Sequence, residues 1–553
     1  MSGGGRGAPA DAILEGGTIV TMDAARPSVE AVALRGSRIA AAGTRAEVAQ
    51  WRGARTRVES LDGATLLPGF IEAHGHPLMS ALAWGDGVVD IRAIHVPTWD
   101  AAVEKMRRRV ARAAPGEVLW FIGMDPQLHR GLREPTKAEL DRLAPNNPVV
   151  VQTSNLHALY VNTAALAAFG IDRGTPAPGA GAIAPDENGE PWKFTESATL
   201  LFREPFYARG GPGQVRQELD GWLDRFARAG YTTSTEIGLL PDWSAHYADR
   251  VSGGGAPIRV YAYERLFADR PIVARADAPV DDWFATIGVK LWADGSPFVG
   301  NIWVGRPYLN TSLTLGRMGL PRDSTGHMNW RPDEFAAQVR RAAADGWQVA
   351  VHAQGDRTID VVLDAFEDAL RDFPRARGPF RLEHCVLIRD DQLERARDLG
   401  VAVSLFLPHL WYWGEVVRDE MLGPEVAARY APNGSAARLG VRASYHCDSP
   451  MTWPNALLCL HIAVNRVSRA GATIGPGERV DVETALRALT VDAAWQLQAE
   501  DRLGSITPGK LADFTLLGED PRGVDPMRIL DIPVLGTWVG GRRVWSGCER
   551  AER

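Results

Sequence analysis

The stretch Leu66-Leu-Pro-Gly-Phe-Ile-Glu-Ala-His-Gly-His-Pro77 decides how the rest of the chain is read. An apolar run ends in two histidines, His74 and His76, one residue apart. Along a β-strand, side chains at i and i+2 point to the same face. Two imidazoles at a strand end can therefore converge on one cation, and imidazole suits zinc and similar transition metals. A His-x-His pair by itself is ordinary, so the question is whether the chain supplies partners.

At 553 residues the chain exceeds the usual size of one hydrophobic core. Two domains, or one large barrel with an appendage, are expected. With 45% hydrophobic and 23% charged residues it has the composition of a globular protein. A formal charge of −7 gives no reason to expect nucleic acid or a membrane as partner. The four cysteines, Cys385, Cys447, Cys459 and Cys548, show no C-x-x-C pairing. That spacing fits a reducing compartment. Met1–Ala10 is Gly-rich and lacks the apolar core of a signal peptide, and no apolar run is long enough to span a bilayer. The expected address is the cytoplasm. Of 61 basic residues only Lys105, Lys137, Lys193, Lys290 and Lys510 are lysine. A codon bias towards arginine accounts for this most simply, but it makes each lysine a candidate for work that arginine cannot do.

Residues 11–65 carry short alternating runs, Ala12–Thr21, Ser28–Leu34 and Arg38–Ala42, separated by turn signals. Similar runs return at Asp513–Leu517, Val534–Val539 and Arg542–Trp545. Two β-rich ends around a long middle predict one small sandwich built from both termini (1–65 and 501–553). The middle, 66–500, alternates β-type runs with helical stretches, which predicts βα units and a parallel sheet. The candidate strands are Leu66–His74, Tyr231–Ile237, Ile258–Glu264, Ile287–Ala293, Trp347–His352, Phe380–His384, Val401–Phe406 and Val441–Asp448. Eight such strands make a (β/α)₈ barrel of the α/β class. Pro148–Gln152 is an equally good strand and is placed in a long insertion at about residues 77–228. Helical patterns cover Asp333–Ala344, Arg357–Arg371 and Asp391–Asp398, and residues 483–499 read as one late helix. Low complexity is confined to Met1–Ala10 and the run Gly253–Gly255.

The partners of His74 and His76 then appear, each where a candidate strand ends. In a barrel the active site lies at the C-terminal ends of the strands. Val349-Ala-Val-His352 ends one apolar run, Arg381-Leu-Glu-His384 the next, and Ala443-Ser-Tyr-His-Cys-Asp448 closes the eighth strand with a carboxylate. Lys290, in Gly288-Val-Lys-Leu-Trp-Ala-Asp294, lies on the fourth strand. It is open to two readings. One is a snorkelling or ion-paired lysine. The other is an amine that loses its proton on burial and adds carbon dioxide, giving a carbamate able to bridge two metals.

Gly504-Ser-Ile-Thr-Pro-Gly-Lys-Leu-Ala-Asp513 joins these motifs, and the likeness they carry extends over about residues 11–547. The chain resembles the metal-dependent amidohydrolase superfamily, in the amidohydrolase family 3 branch that includes N-substituted formamide deformylases. The resemblance implies a distorted TIM barrel with a small β-sandwich from both termini. It also implies a metal shell of His74, His76, Lys290, His352, His384 and Asp448 around one or two divalent ions, zinc first. Two departures stand out: Glu72 where the superfamily usually has aspartate, and His446-Cys447-Asp448 in place of Gly-Ser-Asp.

The implied chemistry is hydrolysis. Bound divalent ions lower the pKa of water to about 7 and polarise a carbonyl. Asp448 then moves the proton from water to the departing nitrogen as general base and general acid. The aromatic cluster Trp411-Tyr412-Trp413 reads either as core or as a wall for a hydrophobic substituent. The loop at about Ser296–Trp330, long enough to act as a lid, adds Trp303 to the substrate contacts, and His157 of the insertion is another. His95, His129, His246, His327, His409, His446 and His461 receive no catalytic role. The expected partner is a small molecule, with a homodimer left open. A linear amide, N-formyl compound or carbamate is the first reading of the substrate. Opening of a cyclic amide or imide, metal-dependent isomerisation or decarboxylation, and a non-catalytic scaffold are the others.

Overall fold

Gly69 marks the point where the chain leaves one sheet and enters another. In the computed structural model, which describes residues 8–550 apart from 180, 210, 252–254, 269, 275, 278, 279 and 377, the expected strand Leu66–His74 is two strands. Thr65–Pro68 pairs with Ala12–Val20 and with Phe514–Leu517, whereas Phe70–Glu72 opens the barrel. A side chain at Gly69 would collide with Thr232, whose Oγ1 lies 2.0 Å from the position of a Cβ. Only glycine lets the two sheets meet so closely. The start of the chain through residue 7, and Gly253 and Gly254, lie outside the described residues.

Eight parallel strands follow in chain order, β1 (Phe70–Glu72), β2 (Tyr231–Leu239), β3 (Arg259–Arg265), β4 (Phe284–Trp292), β5 (Gln348–Ala353), β6 (Arg381–His384), β7 (Ala402–Leu405) and β8 (Ala443–Tyr445). Each pairs with the next, as expected of a TIM barrel. The ladder does not continue from β8 back to β1, so the barrel is nearly closed. Two contacts bridge the seam. The Cys447 N–H donates to Glu72 Oε1 at 2.8 Å, and the Ile71 N–H donates to the Leu489 carbonyl at 2.9 Å. The second contact explains why residues 483–499 are not one helix. Val482–Ala488 and Val491–Gln496 are separate, and the carbonyl at the break serves the first barrel strand. A glutamate at position 72 has the reach to cross the seam.

The termini meet in a mixed sheet of eight strands, which includes Ser28–Arg35, Arg38–Gly43, Val534–Val539 and Arg542–Glu549. A buried ion pair fastens it to the barrel: Arg259, at the start of β3, donates to both oxygens of Asp513 at 2.7 and 3.0 Å. The segment between β1 and β2 carries its own sheet of six strands, in which Val149–Thr153 takes a central place, and its own apolar core around Trp99, Phe121 and Tyr160. No helix of the described residues is long and apolar enough to cross a membrane.

Candidate metal centre

The sequence motifs end at the same rim because every barrel strand is parallel. His74, His76, His352, His384 and Asp448 all line one cleft of about 1140 Å³, its open mouth included. Lys290 sits beneath them on β4, fully buried. The ring of His74 lies 4.5 Å from that of His384, and His384 lies 4.3 Å from His352. Asp448 Oδ1 is 3.4 Å from His74 Nε2 and 3.2 Å from His76 Nε2.

Each of these imidazoles has one nitrogen engaged, which fixes the direction of the other. His74 Nδ1 meets Glu383 Oε2 at 2.7 Å. Glu383 is itself held by Arg381, whose guanidinium also donates to Tyr263 and to the Ala73 carbonyl. His76 Nδ1 faces Glu236 at 3.5 Å, and Glu236 accepts from the Leu78 N–H and from Tyr247. His352 Nε2 meets the Gly295 carbonyl at 2.7 Å. Asp294 accepts from the N–H groups of Gln354 and Gly355, tying the loops after β4 and β5 together. Burial pushes its carboxyl up to about 7.

Electrostatics separate the imidazoles. Burial holds His74, His352 and His384 well below the usual histidine range, so each is neutral and offers a lone pair. Burial also opposes charge on His76, but hydrogen bonds and attraction from Asp448 and Glu236 prevail and raise it. Lys290 is pushed down to about 8 by burial, and its Nζ has no hydrogen-bond partner. An orphaned, buried amine beside imidazoles and a carboxylate fits a metal shell better than it fits a core. Among the described residues two trios have ligand atoms within 4.8 Å of one another: His74, His76 and Asp448, and His74, His384 and His446. These residues can hold a metal ion.

The structure places the other sequence candidates unevenly. His157 lines the cleft, with its Nδ1 on Glu196 at 2.9 Å and its ring 6.2 Å from His352. Burial opposes its charge, but Glu196 raises its pKa overall. Asn301 hydrogen-bonds the same carboxylate. The expected tryptophans are elsewhere. Trp413 is buried and donates to Asp125 Oδ2 at 2.9 Å, and Trp411 packs edge-on against His461. The Trp303 carbonyl lies 2.2 Å from where a Cβ on Gly355 would sit and accepts from the Arg357 N–H, so Trp303 shapes a loop. The aromatic residues on the cleft are instead Tyr207, Trp243 and Trp292.

His446 joins the site although it receives no role from sequence. Its Nε2 is 3.3 Å from His384 Nδ1, its ring stacks on His74, and Ser404 engages its Nδ1 at 2.8 Å. The signal was there in its position two residues before Asp448. Glu236, Glu383 and Glu196 were also missed, and only Glu383, next to His384, carried a local hint.

The chain belongs to the amidohydrolase family, whose model matches residues 57–545. It is therefore an enzyme of the amidohydrolase type, a hydrolase acting on C–N bonds. Among known proteins it is 28% identical to the N-substituted formamide deformylase of Arthrobacter pascens, covering 96% of this chain and 97% of that one. It is 25% identical to Protein LONG AFTER FAR-RED 3 of Arabidopsis thaliana, over 98% of this chain and 92% of that one. A crystal structure of an uncharacterized metal-dependent hydrolase from Pyrococcus horikoshii superposes with a TM-score of 0.72 at 22% identity. That match covers 93% of this chain and 99% of the other and shows the shared fold.

Proposed function

We propose that the protein hydrolyses a small amide, N-formyl or carbamate-type molecule with a hydrophobic or aromatic substituent, using one or two divalent ions, zinc first. Support comes above all from the donor set, in which four imidazoles, a carboxylate and an unpartnered amine converge at the catalytic end of a barrel. The similarity to a formamide deformylase adds to it.

His74, His76, His352, His384 and Asp448 would hold the ions. Lys290 would do so as a carbamate, formed when its neutral Nζ adds carbon dioxide. When bound, a divalent ion supplies Lewis acidity, lowering the pKa of water and polarising a carbonyl. Asp448 would take the proton of the attacking water as general base. An amine leaves poorly unless protonated, so Asp448 then delivers the proton to the departing nitrogen. His157, held by Glu196, faces the cleft as a donor to the carbonyl oxygen. Tyr207, Trp243 and Trp292 cover the apolar substituent and exclude water.

The test is metal analysis of the purified full-length protein alongside turnover of N-benzylformamide and of a hydantoin. The proposal expects close to one or two equivalents of zinc and hydrolysis of the formamide. A protein that neither contains nor takes up a divalent ion, or one that opens only the ring, would overturn it.

A further inference from the structure

Several arginines that line other pockets of the described residues are paired with a carboxylate, as Arg389 with Asp360 and Arg429 with Asp390. Two that line the cleft with the histidines are not. Arg203, on the helix Leu200–Tyr207, donates from Nε to Tyr207 Oη at 3.2 Å and reaches Met79 Sδ at 3.2 Å from Nη2. Arg265, the last residue of β3, lies over the Trp292 and Phe267 rings at 5.1 and 4.9 Å. Neither takes part in an ion pair within 4.0 Å among the described residues.

Three carboxylates share the cleft wall. Glu196 is committed to His157 and Asn301, and Asp448 to the histidines. Glu204 is exposed and draws Arg265 only at longer range. A guanidinium withdrawn from water without a carboxylate is costly, and burial pushes Arg265 down to about 10. Tyr207 and Trp292 hold the two planar groups in place, so little freedom remains to be lost when a ligand binds. The planar fork of arginine matches a carboxylate in two parallel hydrogen bonds.

We infer that Arg203 and Arg265 form a carboxylate-binding subsite, and that the substrate is an N-acyl amino acid with a hydrophobic side chain. This deepens, and rests on, the reading of the cleft as an amide hydrolase site. Arg265 is in register with Lys290 on the neighbouring strand, so the anion sits one strand from the metal-holding residues. An α-amino acid, in which one carbon separates the scissile nitrogen from the carboxylate, is the smallest molecule that presents both groups to this cleft at once. Trp243, Trp292 and Tyr207 then receive the side chain. For an N-formyl amino acid, the water oxygen bonds to the formyl carbon and the C–N bond breaks. A water proton passes to the nitrogen, leaving formate and the free amino acid.

The experiment uses the zinc-loaded full chain and two substrates that differ only in the carboxylate: N-formyl-phenylalanine and N-(2-phenylethyl)formamide. The anionic substrate is expected to have the higher kcat/KM, with the difference in KM. Arg203→Gln and Arg265→Gln should each lower its kcat/KM about 10-fold more than that of the neutral substrate. Arg265→Lys, which keeps the charge but not the fork, should fall between. Calorimetric binding of 3-phenylpropanoate, compared with 3-phenylpropanamide, reads the subsite without turnover. If neither formamide is hydrolysed but 3-phenylpropanoate binds in an arginine-dependent way, the subsite stands and the hydrolytic reading of substrate fails. If the neutral formamide is hydrolysed as well as the anionic one and the variants affect both alike, the subsite is overturned while the hydrolytic reading stands. Should a glutamine variant lose its native circular dichroism, the lysine variant and the ligand pair decide.

Discussion

The floor and the wall of the cleft are built by different means. The floor consists of barrel-strand ends: His352, His384 and Lys290 are buried on strands, and His74 is buried two residues beyond β1. Each of those histidines has one nitrogen held by a carboxylate, a carbonyl or a neighbouring imidazole. The wall comes largely from the insertion and from the connection after β2, with His157 in the insertion, Arg203 and Tyr207 on its helix Leu200–Tyr207, and Trp243 on the short turn Pro241–Trp243. Its residues have fewer partners, and the two guanidinium groups have no carboxylate. A site whose imidazoles are each held from behind by the fold, and whose wall guanidinium groups have no carboxylate, has its chemistry fixed by the fold and its selectivity left to the ligand.

Substitutions can break this contrast, and the largest effect belongs to the floor. Asp448→Asn should retain its metal, measured by elemental analysis, and lose about 10³-fold in kcat, because proton transfer of this kind contributes on that order. Retained activity would remove Asp448 from the proton path. Next comes Glu383→Gln, which weakens the orientation of His74. A competing chelator should show zinc affinity lower by about 10–100-fold, with the apolar wall unaffected. Stripping the metal with a chelator should lower the melting temperature, and restoring free zinc should raise it again progressively, since a ligand bound only by the native state stabilises it by about 2.7 kcal/mol at 100 times its Kd. The smallest effect belongs to the wall. Trp243→Ala should raise KM about 10-fold for an aromatic substrate and spare kcat, as expected when uniform binding is lost. A change confined to kcat would place Trp243 with the floor.

The sequence carried the floor because its signals are local. A strand end followed by a histidine, repeated around a barrel, can be read from residues only a few positions apart. Gly69 shows where that reading stops. The apolar run from Leu66 contains the turn signal Pro68-Gly69, but nothing local shows that it divides between two sheets, because the close approach is to Thr232, more than a hundred residues away. The same holds for 483–499, whose helical pattern is intact although Leu489 gives its carbonyl to Ile71. The tryptophans misled for a related cause: an aromatic cluster after a strand can face the cleft or the core, and only packing decides.

His74 and His76 were thus suggested as a metal anchor by their spacing together with the histidines and the aspartate that end later strands, and the barrel order by the succession of apolar runs. Tertiary structure decided what stands behind each donor. Glu383 reaches His74 across 309 residues, and Glu72 closes the seam to Cys447 across 375. It also brought His446 into the cluster and turned Arg203 and Arg265 towards the cleft. Periodicity is a property of neighbours in the chain and survives in the sequence. Contacts between distant segments depend on how the elements pack, so they appear only when the barrel forms.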